Sequence, residues 1–320
     1  MKNESHRLWP IISGTQFSDF DIIDYDDLFF NNYNNLIQQF EYQVNSNNNI
    51  IIDKSCEHLH DDHPNNIKKL NTLLDTYNCK HRCIVFDNTY NENIYKKQNI
   101  KHINAPFYIY FYLAKNNLKI PKWNPSVDKL FVCLNNTHKP HRQKFVELLH
   151  VNKILEKTKW SYRQSIKSNI IQTPKFLDQD GGDFDQSLNL ESLYNDTLIA
   201  LVTETDFYTK NITHVTEKSL WSIFYGCIPI IVGVPYSIKL LRSWGIDTYD
   251  DIVDQTYDNE LDNNKRLEMI INSCVYLLSE RYPERIKNLL PARVLRNQLL
   301  LSNKEYWQNQ IKRILWDYKY

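Results

Sequence analysis

Apolar residues arrive along this chain in short, strand-length bursts, and the bursts become regular after about residue 125. In the first part, Asn49-Ile50-Ile51-Ile52-Asp53 and Cys83-Ile84-Val85-Phe86-Asp87 each predict a buried strand closed by a carboxylate. Between them Ile67, Leu70, Leu73 and Leu74 recur at helical spacing, predicting a helix over 66–76. Strand, helix and strand in that order indicate an α/β layer. Phe107 to Leu113 is a further apolar, Tyr-rich segment. Two prolines in Ile120-Pro121-Lys122-Trp123-Asn124-Pro125 break regular structure and predict a domain link there.

Beyond the link the alternation is cleaner. Residues 129–134 predict a strand, 135–141 a polar turn, and Arg142 to Lys157 a helix with Phe145, Leu148, Leu149 and Leu155 as its apolar stripe. A second strand is predicted over Thr197 to Glu204, and a helix opening at Thr216-Glu217-Lys218 and closing at Gly226. A third strand follows over Ile228 to Gly233, then a helix over Tyr236 to Trp244. Unbroken apolar strands alternating with helices specify a parallel sheet covered on both faces. After Arg266 the pattern is almost wholly helical, ending in an amphipathic segment from Lys304 to Tyr318.

Composition narrows the class. At 320 residues, with 42% apolar residues and only 6 Gly, the chain exceeds one core and is no low-complexity polymer. We expect domains at 1–122 and 123–280, with helices at 281–320 packing back across the cleft between them. The 38 basic and 38 acidic residues balance, which argues against a dedicated nucleic-acid binder. The N-terminus opens no apolar leader, and no apolar run approaches the roughly 18 residues of a membrane span. Cytoplasmic residence is expected, with the six cysteines reduced. Abundant Asn, Ile, Lys and Tyr suit an AT-rich, viral genome; the location would then be host cytoplasm.

The sharpest candidate for chemistry is Glu204 to Gly233. A strand ends in a polar loop, and a helix starts with a threonine, an acid and a lysine. In open parallel sheets ligands bind beyond the carboxyl ends of the strands, where first-turn amides attract anions. Lys218 would hold the phosphates of a nucleotide diphosphate and Glu217 its ribose hydroxyls. The plainer reading makes Thr216 an N-cap, Glu217 a dipole-favoured acid and Lys218 a solvated charge. Lys139, His141 and Arg142 form a candidate cationic patch after the strand at 129–134.

The run Asn211-Ile212-Thr213-His214-Val215-Thr216-Glu217-Lys218, then Leu220-Trp221 and Gly226-Cys227-Ile228-Pro229-Ile230-Ile231-Val232-Gly233, resembles the donor segment of α-1,3-fucosyltransferases. Glu204 is similar to the acid of their upstream Phe-Glu-Asn, and Arg142 to an arginine that contacts the donor pyrophosphate. The same order of motifs, with Leu241-Arg242-Ser243-Trp244-Gly245, resembles glycosyltransferases of phages and large viruses. Departures are Thr205 in place of Asn, His214 in place of an aromatic, and a longer loop before Glu217. The resemblance spans about 128–280. It implies a GT-B-like α/β fold, with two Rossmann-like domains facing a cleft and a helical C-terminus. It implies metal-independent, inverting sugar transfer from a nucleotide-diphosphate sugar, with no cofactor beyond that donor. Arg142, Glu204, Thr205, His214, Thr216, Glu217 and Lys218 would bind the donor.

Inverting transfer needs a base near the acceptor hydroxyl. In this architecture it belongs to the N-terminal domain, where Glu57, then Asp53, stands just beyond a strand. A glycan or protein is the first-choice acceptor; hydroxymethylated DNA is the alternative, as is a non-catalytic protein that only binds the sugar nucleotide. A zinc site from Cys56, His58, His60, His63, Cys79 and Cys83 is a lesser reading, since Cys83 heads an apolar strand. Asp24-Tyr25-Asp26 and Asp183-Phe184-Asp185 are the lesser candidates for metal-dependent transfer.

Overall fold

The computed structural model describes residues 20–24, 41, 49–54, 63–79, 81, 83–87, 89–90, 100–104, 119–123, 129–135, 137–162, 190–209, 213–279, 286, 288, 290–303, 305–307, 309–310 and 312–313. Contacts divide the chain into two units, Met1–Asn117 with Asn303–Tyr320, and Leu118–Ser302. Both are Rossmann-like α/β units, each built on a four-stranded, all-parallel sheet.

In the first unit the strands are β1 (Phe20–Asp24), β2 (Asn49–Lys54), β3 (Cys83–Asp87) and β4 (Lys101–Asn104), side by side in chain order. Helix α1 (His63–Thr76) joins β2 to β3 and sets Leu70 and Leu74 against Ile50, Ile52, Cys83 and Val85. Those strand positions alternate, as one face of a pleated strand requires. Cys79 and Cys83 are part of this core. Helix α1 stops because Asn78 adopts a left-handed φ of 51°, letting the Cys79 amide close on the Leu74 carbonyl at 3.0 Å.

The second unit begins its sheet with β5 (Phe131–Asn135), followed by α2 (Pro140–Val151) and β6 (Thr158–Tyr162). The short helix α3 (Leu190–Tyr194) leads into β7 (Ile199–Thr203). Then come α4 (Glu217–Phe224), β8 (Ile228–Val232) and α5 (Ser237–Ser243), with α6 (Asn263–Leu277) and α7 (Pro291–Ser302) closing the unit. Every residue of β7 and β8 is buried, which is why both are unbroken apolar runs.

Strand order here is β8-β7-β5-β6. From β5 the chain steps outward to β6; from β7 it steps the opposite way to β8. Right-handed crossovers therefore place α2 and α4 on opposite faces of the sheet. The reversal leaves a crevice between the carboxyl ends of β5 and β7, the place where open parallel sheets take ligands. In the first unit the described strands show no such reversal.

One element differs from expectation. The helix predicted to run to Lys157 ends at Val151. Asn152 caps it, donating its side-chain amide to the Leu148 carbonyl at 2.8 Å, and Lys153 turns left-handed at φ 59°. Ile154–Lys157 then forms a 3-10 turn, so Leu155 stays buried and the apolar spacing imitates a continuing helix. The segment beyond it, Thr-Lys-Trp-Ser-Tyr, is the edge strand β6. Gly226, expected to close α4, does so at φ 97°. A Cβ there would also lie 2.2 Å from Cδ1 of Trp123, so conformation and packing both require glycine. Residues 121–123 are thus held against the rest of the second unit, where Gln298 also donates to the Pro121 carbonyl at 3.3 Å.

No helix among the described residues is long and apolar enough to cross a membrane.

Candidate functional site

The site is assembled where the second sheet reverses. Asn135 ends β5 and Thr203 ends β7, and the Thr203 hydroxyl donates to Asn135 Oδ1 at 2.5 Å across the crevice. Helix α2 starts immediately after the loop that follows β5. Its N-cap, Lys139, makes no side-chain capping bond; Pro140 opens the helix, and the first turn carries no acid. The positive end of this helix is therefore left uncompensated by its own first turn.

Arg142 sits in that turn and is only 4% exposed. Its Nη1 donates to the Thr137 carbonyl at 3.0 Å, and its Nη2 to the carbonyls of Thr203 and Glu204 at 3.2 and 3.1 Å. Nε is buried with no acceptor among the described residues. Burial lowers the Arg142 pKa against the pull of the Glu204 carboxylate. Beside it, His141 Nε2 donates to the Glu204 carbonyl at 3.0 Å, since a carbonyl only accepts. Burial brings the His141 pKa down to about 4, so the ring is neutral at physiological pH. Lys139, His141 and Arg142 do not form the expected cationic patch: His141 is uncharged, and Arg142 faces inward onto the backbone.

Glu204 is fully buried. Its carboxylate accepts the Thr216 amide at 3.0 Å, the Thr216 hydroxyl at 2.6 Å and the Ser219 hydroxyl. Burial alone would raise its pKa. The Lys218 and His214 charges, with the Ser219 and Thr216 hydrogen bonds, instead hold it below the usual carboxylate range. The start of α4 is expected to seat a ligand's anion; the anion found there is the chain's own Glu204. Thr216 is the N-cap of α4, its hydroxyl accepting the Lys218 amide at 3.4 Å. Lys218 reaches Glu217 Oε1 at 2.5 Å and keeps about a fifth of its side chain exposed, 21%. His214 is buried, with its carbonyl accepting the Ser237 hydroxyl at 3.3 Å, and Thr205 is half-buried.

Lys218 and Arg142 line one small opening together with residues of β5 and β7 and Tyr194. Two cations from the first turns of two helices on opposite faces of the sheet therefore share a single crevice.

The loop leaving β7 is tightly held. Asp206 Oδ1 accepts three successive amides, Phe207 at 2.6 Å, Tyr208 at 3.0 Å and Thr209 at 3.4 Å. The Phe207 ring stacks on His141, centroids 5.4 Å apart, and carries the Arg266 guanidinium 4.3 Å from its centroid.

Of the expected base candidates, Glu57 lies outside the described residues. Asp53 stands near the carboxyl end of β2, in register with Asp24 and Phe86. Cys56, His58 and His60 also lie outside them, as do Tyr25, Asp26 and the acidic loop at Asp183 and Asp185. No cluster of His, Cys, Asp and Glu able to hold a metal occurs among the described residues. Ser219 and Asn135 are not among the expected site residues. Each nevertheless carries a signal in the sequence: a small polar residue on the buried face of a helix, and an amide ending an apolar strand.

No family of known sequences matches the chain. No curated protein matches it either. Among solved structures, it is similar to the DNA-modifying enzyme β-glucosyltransferase, whose structure was determined with and without its substrate uridine diphosphoglucose. That likeness has a TM-score of 0.45 and 12% identity over 92% of this chain and 98% of the other. A glycotransferase of kitacinnamycin is similar at a TM-score of 0.41 and 9% identity, over 92% of this chain and 75% of that one.

Proposed function

We propose that the chain is a glycosyltransferase of GT-B-like build that binds a nucleotide-diphosphate sugar in the crevice between β5 and β7. The observation that carries this reading is the convergence of Arg142 and Lys218 on one opening at the sheet reversal. The fucosyltransferase-like order of Glu204, Thr216-Glu217-Lys218 and Gly226 to Gly233 supports it.

In this reading Lys218 exchanges its contact with Glu217 for the diphosphate, and the freed Glu217 carboxylate accepts the ribose hydroxyls. Arg142 adds its charge from the opposite face while bracing the end of β7. Together they stabilise the departing diphosphate, the charge that grows in the transition state. Glu204 and Thr216 keep the start of α4, and so Lys218, in place; Thr205 and His214 border the donor. The acceptor hydroxyl is deprotonated by Glu57 or Asp53, and transfer inverts the anomeric centre. A glycan or protein is the acceptor of first choice, hydroxymethylated DNA the second.

The test is calorimetric titration of the purified protein with a panel of nucleotide sugars, repeated on Lys218→Ala and Glu217→Ala. Binding by the parent and loss in both variants supports the reading; equal affinity in all three sinks it. Release of nucleotide diphosphate from a bound donor separates an enzyme from a protein that only holds the sugar nucleotide.

A further inference from the structure

Tyr208 is half-exposed, at 49%, on the loop that leaves β7 at the ligand-binding edge of the sheet. Exposed aromatic rings on such loops are ordinarily free to move, whereas this one is fixed from several directions. Its amide is the middle one of the three taken by Asp206. Its ring makes T-shaped contacts with His141, centroids 5.8 Å apart at 80°, and with Phe207 at 5.4 Å and 89°. Phe207 is itself clamped by His141 and Arg266. Arg266 completes the clamp by donating to the Phe207 carbonyl at 2.7 Å.

This ordering places an aromatic surface outside the lining of the crevice itself but against His141, whose Nε2 shares the Glu204 carbonyl with Arg142 Nη2. Tyr208 touches His141, and the next residue on α2 is Arg142, which lines the crevice with Lys218. A nucleoside diphosphate carries its base one ribose away from its phosphates, so a ligand gripped by Arg142 and Lys218 must set its base against a neighbouring wall. Held side chains lose little entropy on binding, which makes a pre-ordered ring a better platform than a mobile one.

Resting on the donor-binding reading above, we propose that Tyr208 is the stacking platform for the nucleobase of the donor. Stacking uses the π-face, which every base has, so Tyr208 supplies affinity for the nucleoside part and leaves the choice of base to edge contacts.

The experiment is calorimetry of the full chain and its Tyr208→Ala and Tyr208→Phe variants, with uridine diphosphate, guanosine diphosphate and inorganic pyrophosphate. Tyr208→Ala should weaken the nucleoside diphosphates about tenfold or more and leave pyrophosphate unchanged. Tyr208→Phe should bind like the parent, because the ring and not the hydroxyl is used. Unchanged nucleotide affinity in Tyr208→Ala overturns the proposal while the donor site stands. An equal loss for pyrophosphate, or for Tyr208→Phe, overturns it as well. A parent chain that binds none of the three probes is a different result and removes the donor site itself.

Discussion

Glu204 at the end of β7 accepts both the amide and the hydroxyl of Thr216, twelve positions later, so a strand end and a helix start are locked by one carboxylate. Removing it in Glu204→Ala leaves those two donors and the Ser219 hydroxyl buried without their acceptor. At roughly 1–3 kcal/mol for each stranded group, and less than full additivity, the expected loss is about 3–5 kcal/mol in urea denaturation. The folded pKa of Glu204 is depressed, so its ionised form contributes stability that is complete above the ordinary carboxylate value near 4.5 and lost as pH falls through the lower folded value. Glu204→Gln should therefore show a flatter stability profile below about pH 4.5 than the parent.

His141 gives a separate acid window. Its pKa falls from 6.5 to about 4 on folding, because a buried ring resists protonation. The unfolded chain takes up that proton first. Stability from His141 is fully present above pH 6.5 and declines as pH drops toward 4, by roughly 3 kcal/mol in all. His141→Gln, which retains a donor for the Glu204 carbonyl, should remove this decline. Chemical denaturation at several pH values between 4 and 7 checks it, and a decline identical to the parent's would show that His141 is not its source.

Two glycines with left-handed backbones should respond unequally to alanine. Gly226, at φ 97°, has the Trp123 ring where a Cβ would go; Gly245, at φ 82°, meets only Leu300 Cδ2, at 3.7 Å. Backbone strain alone, about 1–2 kcal/mol, is expected for Gly245→Ala. Gly226→Ala adds overpacking, for a total of about 2–4 kcal/mol. Melting temperatures of the two variants give the comparison directly.

Lys218 and Arg142 should separate by what else they hold. Lys218→Met should lower nucleoside diphosphate affinity about tenfold or more, spare affinity for the bare nucleoside, and shift the melting temperature little, since its side chain is partly exposed. Arg142→Lys should damage both properties, because an ammonium cannot span the Thr137, Thr203 and Glu204 carbonyls that the guanidinium bridges. Calorimetry beside a thermal melt distinguishes the two patterns.

Much of the second unit is legible in the order of its residues. The runs at β5, β7 and β8 are apolar because these strands are buried between covered faces, and Thr216 and Gly226 mark the ends of α4 by ordinary capping chemistry. The edge strand β6 is hidden because Leu155 continues the apolar stripe of α2 through a 3-10 turn. Within the site, residue types and their order are legible but orientations are not. Nothing in the spacing of Arg142 tells that its guanidinium turns back onto two carbonyls some 60 positions later. Nor does the chain reveal that Glu204 holds Thr216, the N-cap of α4, for only the sheet brings the end of β7 beneath that helix.

The burial of Glu204 against α4 separates two properties that often travel together. The amides of Thr216 and Lys218 are committed inside the fold, so under the donor-site proposal the helix contributes to ligand capture through the reach of Lys218. A row of amides can be altered only by rebuilding a loop; an ammonium on a flexible stem is retuned by changing one neighbour, Glu217. The grip on a charged ligand can thereby strengthen or weaken by single substitutions while the sheet beneath keeps its full stability.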